Sequence, residues 1–368
     1  MKSNIDIVFT GGHAGTTALS VVDEIKKRNL PWKLSWIGSK QAIEGKNITT
    51  LEAKIFPSKE ITFYSLLTGR LQRRFTLWTI PSLFKIPLGF FHALYLLLKI
   101  KPKVVISFGG FAAFPVVVVS FLLRIPVVIH EQTAAIGRSN KYSVFFAKVI
   151  LLSREESRRY VGGKKRVEVI GNPTKSDYFQ INSKAGLSSP PELLIIGGSR
   201  GSVQINRLVK PIIKKLLEKY HVVHQVGPVE YKSFLKIKDQ LAENDQKRYE
   251  VHSFVEPAEM VNMFKKADLI VSRAGANTVS EIIAARKNAL LIPIPWSYLE
   301  EQKKNAEMAK KLGLVEVLDQ NQIMPDLLLK NINLRMENPE VGKKLMDIKS
   351  PDLKAAEKFV DIIQKELR

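Results

Sequence analysis

The chain has 368 residues, enough for two domains of ordinary size, and its 45% hydrophobic and 25% charged content is globular, which excludes wholesale disorder. It has no cysteine, which excludes a disulfide framework and thiolate chemistry. With 57 Lys and Arg against 35 Asp and Glu, the net charge of +22 draws in polyanions: nucleic acid, an anionic membrane or phosphorylated substrates.

The opening MKSNIDIVFT passes from polar residues straight into a strand-like run from Ile5 to Thr10, so no signal peptide is expected and the chain is placed in the cytoplasm. Gly11, Gly12, His13, Ala14 and Gly15 form a turn before a helical pattern that runs to about Lys27. Strand, glycine turn and helix suit a dinucleotide fold, but the second strand, Lys33 to Gly38, ends in Ser39 and Lys40 rather than an acid. No Lys-Ser/Thr closes the loop as a P-loop would, so NAD and ATP are both disfavoured.

Between Glu60 and Glu131 there is no acidic residue, while Arg70, Arg73, Arg74, Lys85, Lys99, Lys101, Lys103 and Arg124 interleave with Phe75, Leu77, Trp78, Ile80, Leu83, Phe84, Phe90 and Phe91. Two readings stay open: the segment lies on anionic lipid, or its aromatics pack a core beneath snorkelling cations. The uncharged run from Val104 to Leu123 is long enough to span a bilayer, but Gly109, Gly110 and Pro115 divide it into a strand, a turn and a short helix. Any lipid contact is therefore expected to be peripheral.

Strands at 103–108, 127–130, 149–153 and 167–170, separated by helical lengths, describe a mostly parallel sheet covered on both faces. Turn-formers from Gly171 to Pro173 and from Ser188 to Pro191 bracket a linker. The pattern restarts with a strand at 193–196, the turn Gly197 to Gly201 and a helix at 203–217. Strands at 221–226, 249–253, 268–272, 289–293 and 315–318 continue it. The expected organisation is a domain over 1–170, a linker over 171–191, a second domain over 192–350 and a terminal helix within 351–368 that packs back on the first. Two doubly wound parallel-sheet domains would face one another across a cleft, with ligands outside the strand ends.

From Asp268 to Ala306 the sequence reads as a βαβ unit whose turn, Ala274, Gly275 and Ala276, leaves helix-start amides open to an anion such as phosphate. Glu281 lies one turn on. Its carboxylate suits the vicinal hydroxyls of a ribose, while Thr278 to Glu281 also spells a capping box, so both readings stand at this point.

Five segments together resemble the MurG family of peripheral membrane glycosyltransferases: FGGFAAFP from Phe108 to Pro115, His130 to Gln132, Gly171 to Pro173, Gly197 to Gly201 with Asn206, and Arg273 to Glu281 followed by Gln302 and Asn305. The resemblance implies an α/β GT-B fold, two Rossmann-like domains with the donor on the second and the lipid acceptor on the first. It implies transfer of N-acetylglucosamine from UDP-GlcNAc to a lipid-pyrophosphate MurNAc-peptide (lipid I to lipid II) in peptidoglycan synthesis. The place of action would be the cytoplasmic face of the cell membrane. The sequence offers no convincing carboxylate cluster for a metal and no recognised nucleic-acid-binding motif, so no metal, cofactor or nucleic acid is expected. Glu281 would hold the ribose, the backbone near Val255 the uracil, and Ala276, Asn277 and Thr278 the diphosphate. Ser199 and Lys175 would lie near the phosphates and Gln302 near the sugar hydroxyls, with Gly11, Gly12, Gly15, Thr133, Asn206 and Glu301 completing the substrate contacts. The sequence departs from the family pattern at Phe111, Thr133, Lys175 and Glu301, and the first glycine loop is shorter than usual. Lys175 keeps a charge where the family has arginine but loses the two-pronged contact.

An inverting transfer needs a base, for which His13 is the first candidate and Glu131 the second. It also needs charge offset at the leaving diphosphate, which the amides of 276–278 and Lys175 are suited to supply. The alternatives are another GT-B transferase that uses a UDP-sugar on a different lipid, and a non-catalytic membrane-associated binder.

Overall fold

The computed structural model describes residues 5–12, 14–41, 49–69, 79–163, 165–181, 186–198, 201–338 and 348–367. The chain divides into two compact units, one formed by Met1–Pro173 with Lys354–Arg368 and the other by Thr174–Leu353.

The first unit holds seven parallel strands in the order β3-β2-β1-β4-β5-β6-β7. They are β1 (Ile5–Gly11), β2 (Trp32–Gly38), β3 (Thr62–Ser65), β4 (Val104–Ser107), β5 (Val127–Glu131), β6 (Val149–Leu152) and β7 (Arg166–Val169). The inner strands β4, β5 and β6 are buried along their whole length, as helices on both faces of a parallel sheet require, and this is why they read as unbroken apolar runs. β3 sits at the edge, half-buried, and carries no comparable apolar signal.

The helix Ala355–Glu366 completes this unit's core. Phe359, Val360, Ile362 and Ile363 are buried with Val21, Val22 and Ile25 of the Gly15–Lys27 helix. At roughly 1.5–3 kcal/mol for each fully buried large apolar side chain, this contact is a major part of the unit's stability. Arg28 ties the two helices, pairing with Glu24 at 2.6 Å and Asp361 at 2.5 Å, and Glu366 takes Arg166 at 2.6 Å and Lys148 at 2.8 Å.

The helix Thr79–Ile100 buries Ala93, Leu96 and Leu97 against Val116 and Val119 of the helix Ala113–Leu122. Its outward side carries Phe84, Leu88, Phe91, Tyr95 and Leu98, all exposed, at steps of four, three, four and three residues. That spacing is one continuous helical stripe. These aromatics do not pack a core, and for Phe84 and Phe91 the core-packing reading is overturned. Arg70, Arg73, Arg74, Phe75, Leu77 and Trp78 lie outside the described residues. Among the described residues no helix is long and apolar enough to cross a membrane.

The second unit holds six parallel strands in the order β10-β9-β8-β11-β12-β13: β8 (Glu192–Ile196), β9 (His221–Gln225), β10 (Tyr249–His252), β11 (Leu269–Ser272), β12 (Ala289–Leu291) and β13 (Val315–Val317). The helical stretch expected over 203–217 is broken into Val203–Val209, a 3-10 turn Lys210–Ile212 and Ile213–Leu217, because Pro211 lacks the amide needed to continue the helix. Part of the stretch 171–191 is packed rather than extended: Tyr178 and Ile181 are buried in the second unit's core, with Tyr178 edge-on to Phe264 at 5.1 Å.

Candidate active site

Each unit places a glycine loop at the carboxyl ends of its central strands, and the two loops differ in what occupies them. In the first unit, Gly12 N–H donates to Gly109 O at 2.8 Å, and Gly110 adopts φ +92 with its α-carbon so close to Gly12 that a Cβ would lie 2.7 Å from Gly12 N. The loops after β1 and β4 thus touch backbone to backbone, which only glycine permits. The helix that starts at Gly15 is already served: Ala14 N–H donates to Glu52 Oε1 at 3.1 Å, and Glu52 is buried. A carboxylate from 38 residues away therefore stands at the positive helix end, where an external anion would otherwise bind. A Cβ on Gly15 would meet the Leu51 side-chain tip at 2.8 Å and Glu52 Cγ at 3.3 Å, so this helix start is packed closely against Leu51 and Glu52.

Glu131, a candidate base by sequence, is buried and accepts from Thr133 N (3.0 Å), Thr133 Oγ1 (2.8 Å), Gly137 N (2.8 Å) and Asn140 Nδ2 (2.9 Å). Its oxygens are saturated by the loop that follows β5, the organising role rather than that of a proton acceptor. Thr133 belongs to the same arrangement, accepting from Ala135 N at 3.3 Å. His13 lies outside the described residues, as does Ser199.

The second unit's helix tip is open. The helix Ala276–Ala284 has Gly275 as its N-cap with no side-chain cap, and a Cβ on Gly275 would meet nothing within 4 Å. Thr278 lies inside the first turn, so the capping box falls: Glu281 is too far along the helix to reach the orphan amides. Its carboxyl is partly exposed but deeply packed, and burial pushes it up to about 8. No hydrogen bond or ion pair reaches it among the described residues. Tyr178, on the packed segment that precedes β8, has its hydroxyl raised well above the usual range, first by burial and then by Glu281.

Arg273, to which the sequence assigned no role, anchors the carboxyl ends of three strands. It is buried, and its Nε donates to Ser202 Oγ at 3.0 Å while Nη1 donates to Ile292 O at 2.8 Å. Ser202 caps the helix after the glycine turn of β8, and Ile292 follows β12. Burial lowers the guanidinium to about 10, so it stays cationic, and no carboxylate pairs with it among the described residues. The missing counter-charge becomes visible only after folding.

Asn206 is engaged internally. Its Nδ2 donates to Val226 O at 2.9 Å and Glu230 Oε2 at 2.7 Å, so its Oδ1 accepts from His224 Nε2 at 3.0 Å. His224 Nδ1 then accepts from Tyr249 OH at 3.0 Å, and burial holds this imidazole neutral at about 3. The network fixes Val226 beneath Gly201, whose φ of +73 and backbone approach exclude a side chain. Asn206 therefore acts on the glycine turn rather than directly on a ligand.

Asn305 Nδ2 donates to Ala274 O at 3.2 Å, which brings the start of the helix Glu301–Lys311 beside the open tip. Gln302 Oε1 accepts from Ile294 N at 3.0 Å, an arrangement that leaves its amide NH2 as the outward group. Glu301 occupies the first turn of that helix, where a carboxylate complements the dipole. Val255 is buried on the loop after β10, and its backbone amide and carbonyl meet no protein partner among the described residues. Lys175 pairs with Asp177 at 2.5 Å, so part of its charge is answered within the chain.

Two units of parallel sheet, each with a glycine loop at its strand ends, each match a glycosyltransferase family model. Residues 7–152 match the glycosyltransferase family 28 N-terminal domain and residues 192–365 the glycosyltransferase family 28 C-terminal domain. A relative from Legionella pneumophila (strain Paris) is 32% identical over 371 residues, covering 98% of this chain and 96% of its own. One from Clostridium perfringens (strain ATCC 13124) is 33% identical over 375 residues, covering 99% of each chain. Both are described as UDP-N-acetylglucosamine–N-acetylmuramyl-(pentapeptide) pyrophosphoryl-undecaprenol N-acetylglucosamine transferase, and the chain belongs to that family. The fold is shared with the crystal structure of Acinetobacter baumannii MurG (24% identity, TM-score 0.65, 98% of this chain and 99% of that one). It is shared also with a UDP-GlcNAc 2-epimerase from Neisseria meningitidis bound to UDP-GlcNAc (13% identity, TM-score 0.63, 98% and 99%).

Proposed function

We propose that this chain moves N-acetylglucosamine from UDP-N-acetylglucosamine to a lipid-pyrophosphate N-acetylmuramyl-peptide, with inversion at the anomeric carbon, in peptidoglycan synthesis. The observation that carries the reading is the tip at Gly275, without a side-chain cap, with a largely enclosed carboxyl at Glu281 on the same helix that meets no partner among the described residues. A diphosphate on the amides of 276–278 gains the helix dipole, and a ribose diol gives Glu281 the hydrogen bonds it lacks. Val255 offers the uracil an unused backbone donor and acceptor, and the Gln302 amide addresses the sugar hydroxyls. Lys175 and the buried Arg273 add positive charge on the leaving-group side.

In the transfer, an acceptor hydroxyl attacks the anomeric carbon, the bond from that carbon to the diphosphate oxygen breaks, and a base takes the hydroxyl proton. We assign the base to His13, since the oxygens of Glu131 are all engaged. The exposed stripe Phe84, Leu88, Phe91, Tyr95 and Leu98, on a chain of +22 charge, supports peripheral attachment to an anionic membrane on the cytoplasmic side, where the acceptor's lipid is held. The test is UDP release from UDP-N-acetylglucosamine with the lipid-linked acceptor in vesicles, run beside competing UDP-sugars. Turnover that needs the acceptor and prefers this donor is expected. Binding of UDP-N-acetylglucosamine without turnover would overturn the transfer, and preference for another UDP-sugar would overturn the donor.

A further inference from the structure

The loop between β12 and the Glu301–Lys311 helix carries a side chain to which the roles above give no task. Trp296 is 67% exposed, a costly place for an indole unless something covers it. Its backbone is far from loose. Ile294 N–H donates to Gln302 Oε1 at 3.0 Å, and Gln302 N–H donates to Ser297 Oγ at 3.2 Å, so residues on both sides of Trp296 are tied to the same glutamine. Lys304 Nζ donates to Leu299 O at 2.6 Å. Pro293 and Pro295 restrict the chain further. Within this loop Leu299 (φ 52) and Glu300 (φ 54) are consecutive non-glycine residues in the left-handed region. Backbone held against its preference by surrounding bonds is characteristic of ligand sites.

We propose that Trp296 is a specificity-determining residue that stacks on the C–H face of a pyranose while the Gln302 amide addresses hydroxyls of that ring. A pyranose with mostly equatorial substituents presents axial C–H groups, weakly positive and apolar, to the negative face of the indole. The loop supplies both elements from a few residues in fixed relation, which hydrogen bonds to Gln302 alone would not require of an exposed tryptophan. This inference rests on the sugar-facing role given to Gln302. Donor and acceptor both carry a pyranose, and kinetics separate them.

The experiment compares wild type, Trp296→Ala and Trp296→Phe for KM of each substrate with the other saturating, for UDP affinity by calorimetry, and for thermal midpoint. UDP carries no pyranose, so UDP affinity and midpoint are expected to be unchanged in both variants. Trp296→Ala should raise one KM about fivefold, the donor's if the stacked ring is N-acetylglucosamine and the acceptor's if it is the muramyl sugar, with Trp296→Phe recovering most of it. Both KM values within twofold of wild type, or equal losses in Ala and Phe, would overturn the inference. So would a loss seen only with vesicle-bound acceptor and absent with a soluble short-chain one, which would give the indole to the bilayer. A wild-type chain without turnover sinks the transferase reading itself, whereas normal wild-type turnover with an unaffected Trp296→Ala sinks this inference alone.

Discussion

Glu281 carries a charge problem that the donor would solve, and pH is the lever that exposes it. With its carboxyl pushed up to about 8 and no protein partner among the described residues, the empty site holds a proton at neutral pH. A ribose diol donates two hydrogen bonds and so selects the ionised carboxylate. A site competent in a fraction f of molecules binds 1/f-fold more weakly than its intrinsic limit, and at pH 7 a midpoint near 8 leaves roughly one tenth ionised. Donor affinity at pH 7 should therefore sit about tenfold, or ~1.4 kcal/mol, short of its plateau. Calorimetry with UDP-N-acetylglucosamine is expected to show Kd falling about tenfold from pH 7 to pH 9. Paired buffers of different ionisation enthalpy should report close to one proton released per donor bound at pH 7. Glu281→Gln keeps the shape but cannot ionise; it should flatten the profile and weaken binding at pH 9 by roughly 10- to 100-fold, the worth of hydrogen bonds to a charged group. Stability of the empty protein moves oppositely. The folded carboxyl keeps a proton that the unfolded chain loses from near 4.5, so wild-type stability falls as pH rises to about 8, and Gln removes that fall. A flat wild-type Kd between pH 7 and 9, or the same slope in Glu281→Gln, would refute the argument.

Gly275→Val places a side chain where the fold leaves open space, so thermal midpoint should hardly change while UDP affinity drops at least tenfold; parallel loss of both would mean the tip is structural. Glu131→Ala orphans donors from Thr133, Gly137 and Asn140 and is expected to cost about 3 kcal/mol in urea unfolding, whereas full stability with abolished turnover would restore it as the base. Phe84→Ser with Phe91→Ser removes the two most exposed rings of the Thr79–Ile100 stripe. Sedimentation with anionic vesicles should fall severalfold while UDP affinity stays put, and undiminished sedimentation would move the membrane contact elsewhere.

Much of the architecture is legible from the chain because strands buried on both faces are written as apolar runs, several of them closed by a glycine turn. β3 escapes that logic: Thr62–Ser65 is half-exposed at the sheet edge, and nothing in its composition separates it from a loop. The capping-box pattern at Thr278 and Glu281 is locally sound, yet the helix begins at Ala276, because Gly275 follows a segment pinned by Arg273 and Asn305. Local spacing does not report such a tie. Glu52 at the first helix tip acts on a partner 38 residues away, Glu131 is engaged by the particular path of its own loop out to Asn140, and Arg273 meets no carboxylate among the described residues; none of these is periodic information.

The placement of the last helix has a consequence for biosynthesis. Residues Ala355–Glu366 supply part of the hydrophobic interior of the unit that is made first, whereas Thr174–Leu353 is an uninterrupted segment. The first unit cannot close its interior until the residues of that last helix have been made, so its core is completed only after all of Thr174–Leu353 has been translated. A chain cut before Ala355 would leave an open apolar seam on the first unit, a form suited to chaperone capture.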